Sequence, residues 1–393
     1  MAALKERGAV RTPFLEAAFN KVPRHVFTPD VSVADAYRDR SYPIKIQDGV
    51  VVSSSSQPAI MAEMLEQLAP QPGERILEIG AGSGYNAALL AELVGINGFV
   101  STVDLDQDIV KIARRNLCKA GYDQVRTVCV DGAEGDSLSA PFDAIIATVG
   151  VGDIPPAWVA QLRVGGRLIA PISLGLAQRI VTFERTNTCL KSRSVVGGEF
   201  MAFRGSSTAA SIGELSTLGD PAVRLRTLPG NTVNADVLTG VLGGECMQIE
   251  LPANITVDDV WESLDLWLSI REPLFCRLTA QGTAAQRGRV PDAMGIANAA
   301  SHPVAATLGL CNRDGLVLFA LTTTGMCQRA FGSSAACTER LMQAIQSWED
   351  QGRPANAGLN IKVFSASSQA ADALTDGAHL VTLPSAHFVL QWA

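Results

Sequence analysis

From about residue 73 the chain alternates short apolar runs with segments of helical period. Residues 75–79 read as a strand, 80–84 as a glycine turn, and 85–94 as a helix whose Ala and Leu positions can pack on a sheet. The alternation continues with a strand at 99–103, a helix at 109–120, and strands at 125–130 and 142–148. A helical turn at 158–162 and a glycine turn feeding a strand at 164–170 follow. Strands that alternate with helices predict βαβ units and a mostly parallel, doubly wound sheet. Before about residue 70 the pattern is a helical approach with loops, broken by Pro13, Pro23, Pro29, Pro43 and Pro58.

Beyond about residue 205 the alternation stops, and Gly205-Ser206-Ser207-Thr208 reads as a junction. The division expected is residues 1–205 and 206–393, the second an α+β unit. Within it, 306–310 and 316–321 flank Asn312-Arg313-Asp314-Gly315 as a hairpin, Asp-Gly supplying a positive φ. Thr338 can cap a helix running to Gly352, with Leu341, Ala344, Ile345 and Trp348 on one stripe. That stripe is either core or, with the hairpin, an apolar and aromatic surface for a peptide. There is no internal repeat and no low-complexity tract.

Composition narrows the class. A chain of 393 residues exceeds what one core usually supports, about 250–300 residues, so two domains are expected. Lys and Arg number 32 against 39 Asp and Glu, a formal charge of −7, which argues against broad nucleic-acid binding. No apolar run reaches the ~18–20 residues of a membrane span. The first fourteen residues, with Lys5, Glu6, Arg7 and Arg11, lack the apolar core of a signal peptide, so a cytoplasmic protein with no membrane partner is expected. The eight cysteines (118, 129, 189, 246, 276, 311, 327 and 337) contain no C-x-x-C and read as reduced and mostly buried. The four histidines (25, 302, 379 and 387) form no ligand spacing, so no metal is expected.

The chemistry concentrates at Leu77-Glu78-Ile79-Gly80-Ala81-Gly82-Ser83-Gly84-Tyr85. Glycines between a strand and a helix let backbone approach a ligand beside the helix N-terminus. A dinucleotide fingerprint would need a third glycine at position 85, where Tyr stands. The spacing G-x-G-x-G instead fits a ligand without pyrophosphate, such as S-adenosylmethionine. Asp104 ends the next strand, 24 residues beyond Gly80, near the ~20 at which an acid meets the ribose hydroxyls. Asp106 and Asp108 read as exposed charges at a helix N-terminus. Asp131-Gly132, after the third strand, either faces an adenine amino group or merely forms a turn.

Seven segments then occur in a particular order. They are Lys21 to Asp30 (KVPRHVFTPD), Ala36 to Arg40 (AYRDR), Val52 to Pro58 (VSSSSQP), the glycine motif, Val130 to Gly135 (VDGAEG), Ala140 to Asp143 (APFD) and Leu162 to Leu168 (LRVGGRL). Over residues 12–185 this order resembles the protein L-isoaspartyl O-methyltransferases. The resemblance implies an α/β, Rossmann-like S-adenosylmethionine-dependent methyltransferase domain, followed here by an additional C-terminal α+β domain. It implies that Gly80, Gly82, Gly84, Asp104, Asp131 and Gly132 bind the cofactor, with Glu78, Ser83, Tyr85, Asn86 and Leu105 beside them, and that the product is S-adenosylhomocysteine. Ser56 matches the hydroxyl residue beside the methyl group and acceptor carboxylate, with Ser53, Ser54, Ser55 and Gln57 as substrate-binding neighbours. One departure is Ala59, where the family usually carries a larger residue; with the added C-terminal domain it points to a different acceptor, one dedicated peptide.

The C-terminal half resembles extended bacterial members encoded with ribosomally made, modified peptides such as lasso peptides, lanthipeptides and graspetides. That resemblance rests on residues 341–364, including Ser347-Trp348, Gly352-Arg353-Pro354 and Gly358-Leu359-Asn360-Ile361. It implies methylation of an aspartate in one dedicated peptide, with closure of the ester to aspartimide. The alternatives are repair of isoaspartate in many proteins and a non-catalytic peptide-binding scaffold. A nucleic-acid amino-methyltransferase is disfavoured, because Ala147-Thr148-Val149-Gly150 stands where Asn/Asp-Pro-Pro-Phe/Tyr would be needed. Carboxylate methylation suits a chain without a His/Asp dyad: an acceptor with pKa near ~4 is already ionised and needs no general base. The acceptor's identity and the oligomeric state are not encoded in these patterns.

Overall fold

The computed structural model describes residues 1–47, 50–206, 213–252, 254–287, 290–293, 304–323, 325–368, 374 and 377–392. Of the positions singled out above, Ser207, Thr208 and His302 lie outside the described residues.

The chain opens with short helices and then a separate two-stranded hairpin, β1 (Tyr42–Gln47) and β2 (Val50–Ser55). The central strands are β3 (Arg75–Ile79), β4 (Phe99–Asp104), β5 (Arg126–Cys129), β6 (Phe142–Ala147), β7 (Leu162–Leu174), β8 (Ala177–Arg185) and β9 (Leu190–Gly197). Next come β10 (Glu214–Leu218), β11 (Asp220–Thr227), β12 (Met247–Glu250), β13 (Phe275–Gln281), β14 (Val304–Cys311), β15 (Gly315–Thr322) and β16 (Gly325–Gly332). The last three are β17 (Leu359–Ser365), β18 (His379–Thr382) and β19 (Ala386–Trp392).

Ten strands form the first sheet in the order β18-β19-β17-β9-β8-β7-β6-β3-β4-β5. The five from β7 to β5 are joined in parallel, as the βαβ pattern requires, and the remainder are antiparallel. Helices Tyr85–Val94 and Gln107–Lys119 cover the parallel part, burying Leu89, Leu90, Ile109 and Leu117. The second sheet is antiparallel throughout, in the order β10-β11-β13-β14-β15-β16-β12. Among the described residues, no helix is long and apolar enough to cross a membrane.

The fold corrects several expectations. The division into 1–205 and 206–393 does not hold as two sequential blocks, because β17 pairs with β9 and β19 with β17, returning the C-terminus to the first sheet. Ile361, Val363, Phe388 and Leu390 pack there with Val181 and Phe183. Ser53, Ser54 and Ser55 lie on β2, opposite Lys45, Pro43 and Tyr42, within a region expected to be helical with loops. The 312–315 turn is present, but Gly315 does not take the positive φ expected of it. Asn312 Oδ1 holds the turn by accepting from the N–H groups of Asp314 and Gly315. The late helix starts at Ala335 after Ser334, and Thr338 lies inside it, donating to the Ser334 carbonyl. Its stripe is core: Trp348 is fully buried and its Nε1 donates to Ser263 Oγ at 2.9 Å, so it offers no peptide-anchoring surface. The flanking strands β14 and β15 are likewise almost wholly buried. The cysteines are all free, but Cys118, Cys129 and Cys246 are exposed, so "mostly buried" holds only for 276, 311, 327 and 337.

Candidate active site

A cleft of about 270 Å³ opens at the carboxyl ends of β3, β4 and β6, where doubly wound sheets bind ligands. Gly80, Gly82, Asp104, Leu105 and Gly132 line one part, and Ser53, Ser54, Ser56 and Gln57 another. The floor has no room for side chains: a Cβ on Gly80 would meet Thr148 Oγ1 at 2.7 Å, and one on Gly82 would meet the Ser54 carbonyl at 3.2 Å. Both glycines have positive φ, which L side chains rarely adopt. Asp104 Oδ2 accepts from the Gly82 N–H at 3.3 Å, and Oδ1 from the Asp106 N–H at 3.2 Å. Burial pushes the Asp104 carboxyl up, opposed by those two N–H groups.

Other expected cofactor residues lie behind this wall. Ser83 is buried and its carbonyl accepts from Asn116 Nδ2. Gly84 serves packing, since a Cβ there would meet Ala113 and Leu117 of the facing helix at 3.1 Å. Tyr85 points into the N-terminal core, against Phe19, Phe27 and the Arg24 guanidinium. Asn86 Nδ2 and Thr102 Oγ1 donate to the two oxygens of buried Glu78, at 2.8 and 2.6 Å. Asp131 is off the cleft wall as well: its oxygens accept from the Ala133 and Ser206 N–H groups. Burial would raise its pKa, but these bonds hold it below the usual carboxylate range. Ser55 is buried beside the cleft without lining it.

The Ser53–Gln57 segment is held from behind. Arg24 is 1% exposed, and its Nη2 donates to the carbonyls of Ser56 and Arg40 at 3.0 and 3.1 Å. Gln57 Nε2 donates to Asp39 Oδ2, while Asp39 Oδ1 accepts from the Ala59 N–H and so caps helix Pro58–Leu68 from outside. Ala59 packs against the N-terminal core, so its small size is a packing feature.

Sequence reasoning missed one wall altogether. Residues 199–204, after β9, run along the cleft as a strap. The Gly150 N–H donates to the Met201 carbonyl and the Phe203 N–H to the Gly150 carbonyl, at 2.7 and 2.8 Å, while Gln178 accepts from the Phe200 N–H. Phe203 sits over Gly132 and edge-on to Trp158. Thr148 and Val149, weighed above only for the motif they lack, also line the cleft, as do Ser41, Val52 and Ile60. Asp106 is no idle helix-terminal charge. Its Oδ2 takes Lys45 Nζ from the hairpin at 2.9 Å and Arg204 Nη2 from the strap at 2.8 Å, joining three cleft walls. Arg204 and then Lys45 hold it below the ordinary carboxylate range despite partial burial.

Residues 1–206 match the family model "Protein-L-isoaspartate(D-aspartate) O-methyltransferase (PCMT)". The chain belongs to this family. Two curated relatives, both called protein-L-isoaspartate O-methyltransferase, illustrate the match. That of Methanopyrus kandleri is 40% identical over 47% of this chain and 79% of its own, and that of Desulfosudis oleivorans 37% identical over 51% and 86%. A solved structure titled protein-L-isoaspartate O-methyltransferase aligns over 92% of this chain and 94% of its own, with TM-score 0.51 and 25% identity. The fold is Rossmann-like, with an extra C-terminal sheet. As a PCMT member the chain is a methyltransferase, and the family uses S-adenosylmethionine. The cleft fits that group: a side-chain-free glycine floor and the Asp104 carboxylate adjoin a row of serine hydroxyls.

Glu78 carries a measurable pH signature. Burial pushes its carboxyl up to about 7; the Thr102 and Asn86 bonds oppose this, and Asp104 adds to it. A carboxyl raised in the folded state contributes stability below its unfolded value, lost as pH rises through about 7. The loss amounts to about 3 kcal/mol between pH ~4.5 and pH ~7.5. Urea unfolding across that range should show a decline that Glu78→Gln flattens, whatever its offset. An equally steep decline in the variant would assign the pH dependence elsewhere.

Proposed function

We propose that this PCMT member methylates the free carboxylate of isoaspartyl residues in peptides or proteins, the first step of their repair. The observation that carries the reading is that one cleft joins the glycine turn and Asp104 to the immobilised Ser53–Gln57 segment. When bound, S-adenosylmethionine supplies a methyl group on a sulfonium. The acceptor is already ionised at neutral pH, so the chain's task is orientation and exclusion of water. Gly80, Gly82, Asp104, Leu105 and Gly132 would hold the cofactor. Ser56, whose main chain Arg24 fixes, would aim a carboxylate oxygen through its hydroxyl, with Ser53, Ser54 and Gln57 around the acceptor. Once the ester forms, the following backbone nitrogen can attack it, expelling methanol and closing a succinimide.

The two features that pointed to a dedicated peptide weigh less in this fold. Ala59 has a packing explanation, and the C-terminal extension aligns with a solved structure bearing the isoaspartate methyltransferase title. Matched peptides containing isoaspartate or aspartate, followed by mass spectrometry, separate the readings. The isoaspartyl peptide should gain one methyl group and then lose methanol, with Ser56→Ala, which removes a hydrogen bond to the charged acceptor, lowering kcat about 10-fold or more while cofactor affinity changes little. Turnover confined to an aspartyl peptide would favour the dedicated-peptide reading and its aspartimide product. Cofactor binding without turnover on either would favour the scaffold. Unchanged kcat in Ser56→Ala would remove Ser56 from the mechanism.

A further inference from the structure

The second sheet meets the cleft wall through an ion pair. Glu199, at the start of the strap and on the cleft wall, has its Oε1 2.5 Å from Arg277 Nη1 on β13. The same Nη1 donates to the Leu176 carbonyl, between β7 and β8, at 3.0 Å, so Arg277 points from the second sheet toward the first. Arg226 stands directly opposite Arg277 in the β11–β13 register, and Arg224 opposite Thr279. Directly opposed residues share a sheet face, as do residues two apart, so Arg224, Arg226 and Arg277 form one row. Arg277 is mostly buried, Arg226 half-buried and Arg224 exposed, so the row runs from the cleft edge outward to solvent.

Like charges placed opposite one another on a sheet are destabilising. Burial lowers the affinity of Arg226 for its proton, and Arg277 and then Arg224 lower it further. In a chain of net charge −7 such a row runs against the overall composition. Glu199 meets it as a carboxylate from the cleft side, the same chemical group that an acidic peptide would present.

We propose that the Arg224–Arg226–Arg277 row binds an acidic segment flanking the acceptor residue, Arg277 exchanging Glu199 for an incoming carboxylate. This rests on the carboxyl-methyltransfer reading and adds a substrate class to it: isoaspartyl segments in acidic sequence surroundings. The row thereby becomes a specificity determinant supplied by the second sheet, while transfer itself stays in the first. A guanidinium suits this role because its planar fork matches a carboxylate.

The test uses the full chain and two isoaspartyl peptides that differ only in carrying four Glu or four Gln around the acceptor. At low salt, kcat/KM should favour the Glu peptide by on the order of tenfold, and the preference should shrink as salt rises. Arg226→Gln and Arg277→Gln should each bring the ratio toward one, while Arg226→Lys should retain most of it. Because the ratio is taken within each variant, partial loss of folded protein cancels. Fluorescence anisotropy of the labelled peptides makes the same comparison without turnover, so failure of methylation overturns the chemical reading and leaves this one decided by binding. Equal handling of both peptides by the wild type, or a preference surviving both Gln variants, overturns the proposal. So does displacement of the Glu peptide by an oligonucleotide at lower concentration than by polyglutamate, which would assign the row to nucleic acid.

Discussion

Asp104→Ala should lower affinity for S-adenosylmethionine by on the order of 10- to 100-fold, because a ribose diol would lose a charged acceptor worth about 1.5–3 kcal/mol. The structure adds a second cost. Asp104 also accepts from the N–H groups of Gly82 and Asp106, so its removal frees the turn that forms the cleft floor. Asp104→Asn, which keeps an acceptor oxygen but no charge, should fall between wild type and Ala. Titration calorimetry of the three proteins at neutral pH decides the matter. Undiminished affinity in the Ala protein would place the ribose elsewhere.

A chain ending at residue 205 should fail to fold, even though it contains every motif expected for cofactor and chemistry. Such a chain would lack Leu359, Ile361, Val363, Phe388 and Leu390, all buried in the core of the first sheet. At about 1.5–3 kcal/mol per fully buried side chain, the loss is comparable to the net stability of ~5–15 kcal/mol typical of a folded protein. It would also strip β17 from its short pairing with β9, at Leu190 and Lys191, uncovering a sheet edge that invites aggregation. The expected readouts are insolubility, or a soluble product without near-ultraviolet circular dichroism or cofactor binding. A soluble 1–205 chain with a cooperative unfolding transition and undiminished cofactor affinity would sink this expectation.

Much of the proposed cofactor side was legible locally. Arg75–Ile79 and Tyr85–Val94 have the bounds that periodicity assigned, because each is a short run of one period punctuated by glycine. Asp104 ends β4 beside Gly82 because parallel neighbouring strands bring the ends of successive βα units together. The proposed acceptor side was legible only by resemblance. A run of four serines has no period, and its strand is formed by pairing with Tyr42–Gln47. Glu78, Ser83 and Tyr85 belong to the strongest motif, yet they support the cleft from behind, a distinction of facing that motif spacing does not contain.

Local periodicity and glycine placement thus specify the βαβ succession, the glycine turn and the placing of Asp104 beside it, since those depend on residues within a few tens of positions. Three features depend on partners far along the chain. The strap at 199–204 is held by Gly150 and Gln178; Asp106 becomes a junction when Lys45 and Arg204 reach it; and Arg277 reaches Glu199 of the cleft wall from another sheet. The return of β17 to β9 joins residues about 170 positions apart. Such contacts are selected by complementary packing and charge in the folded core, where each partner is decided by all the others, so no local window of sequence carries them.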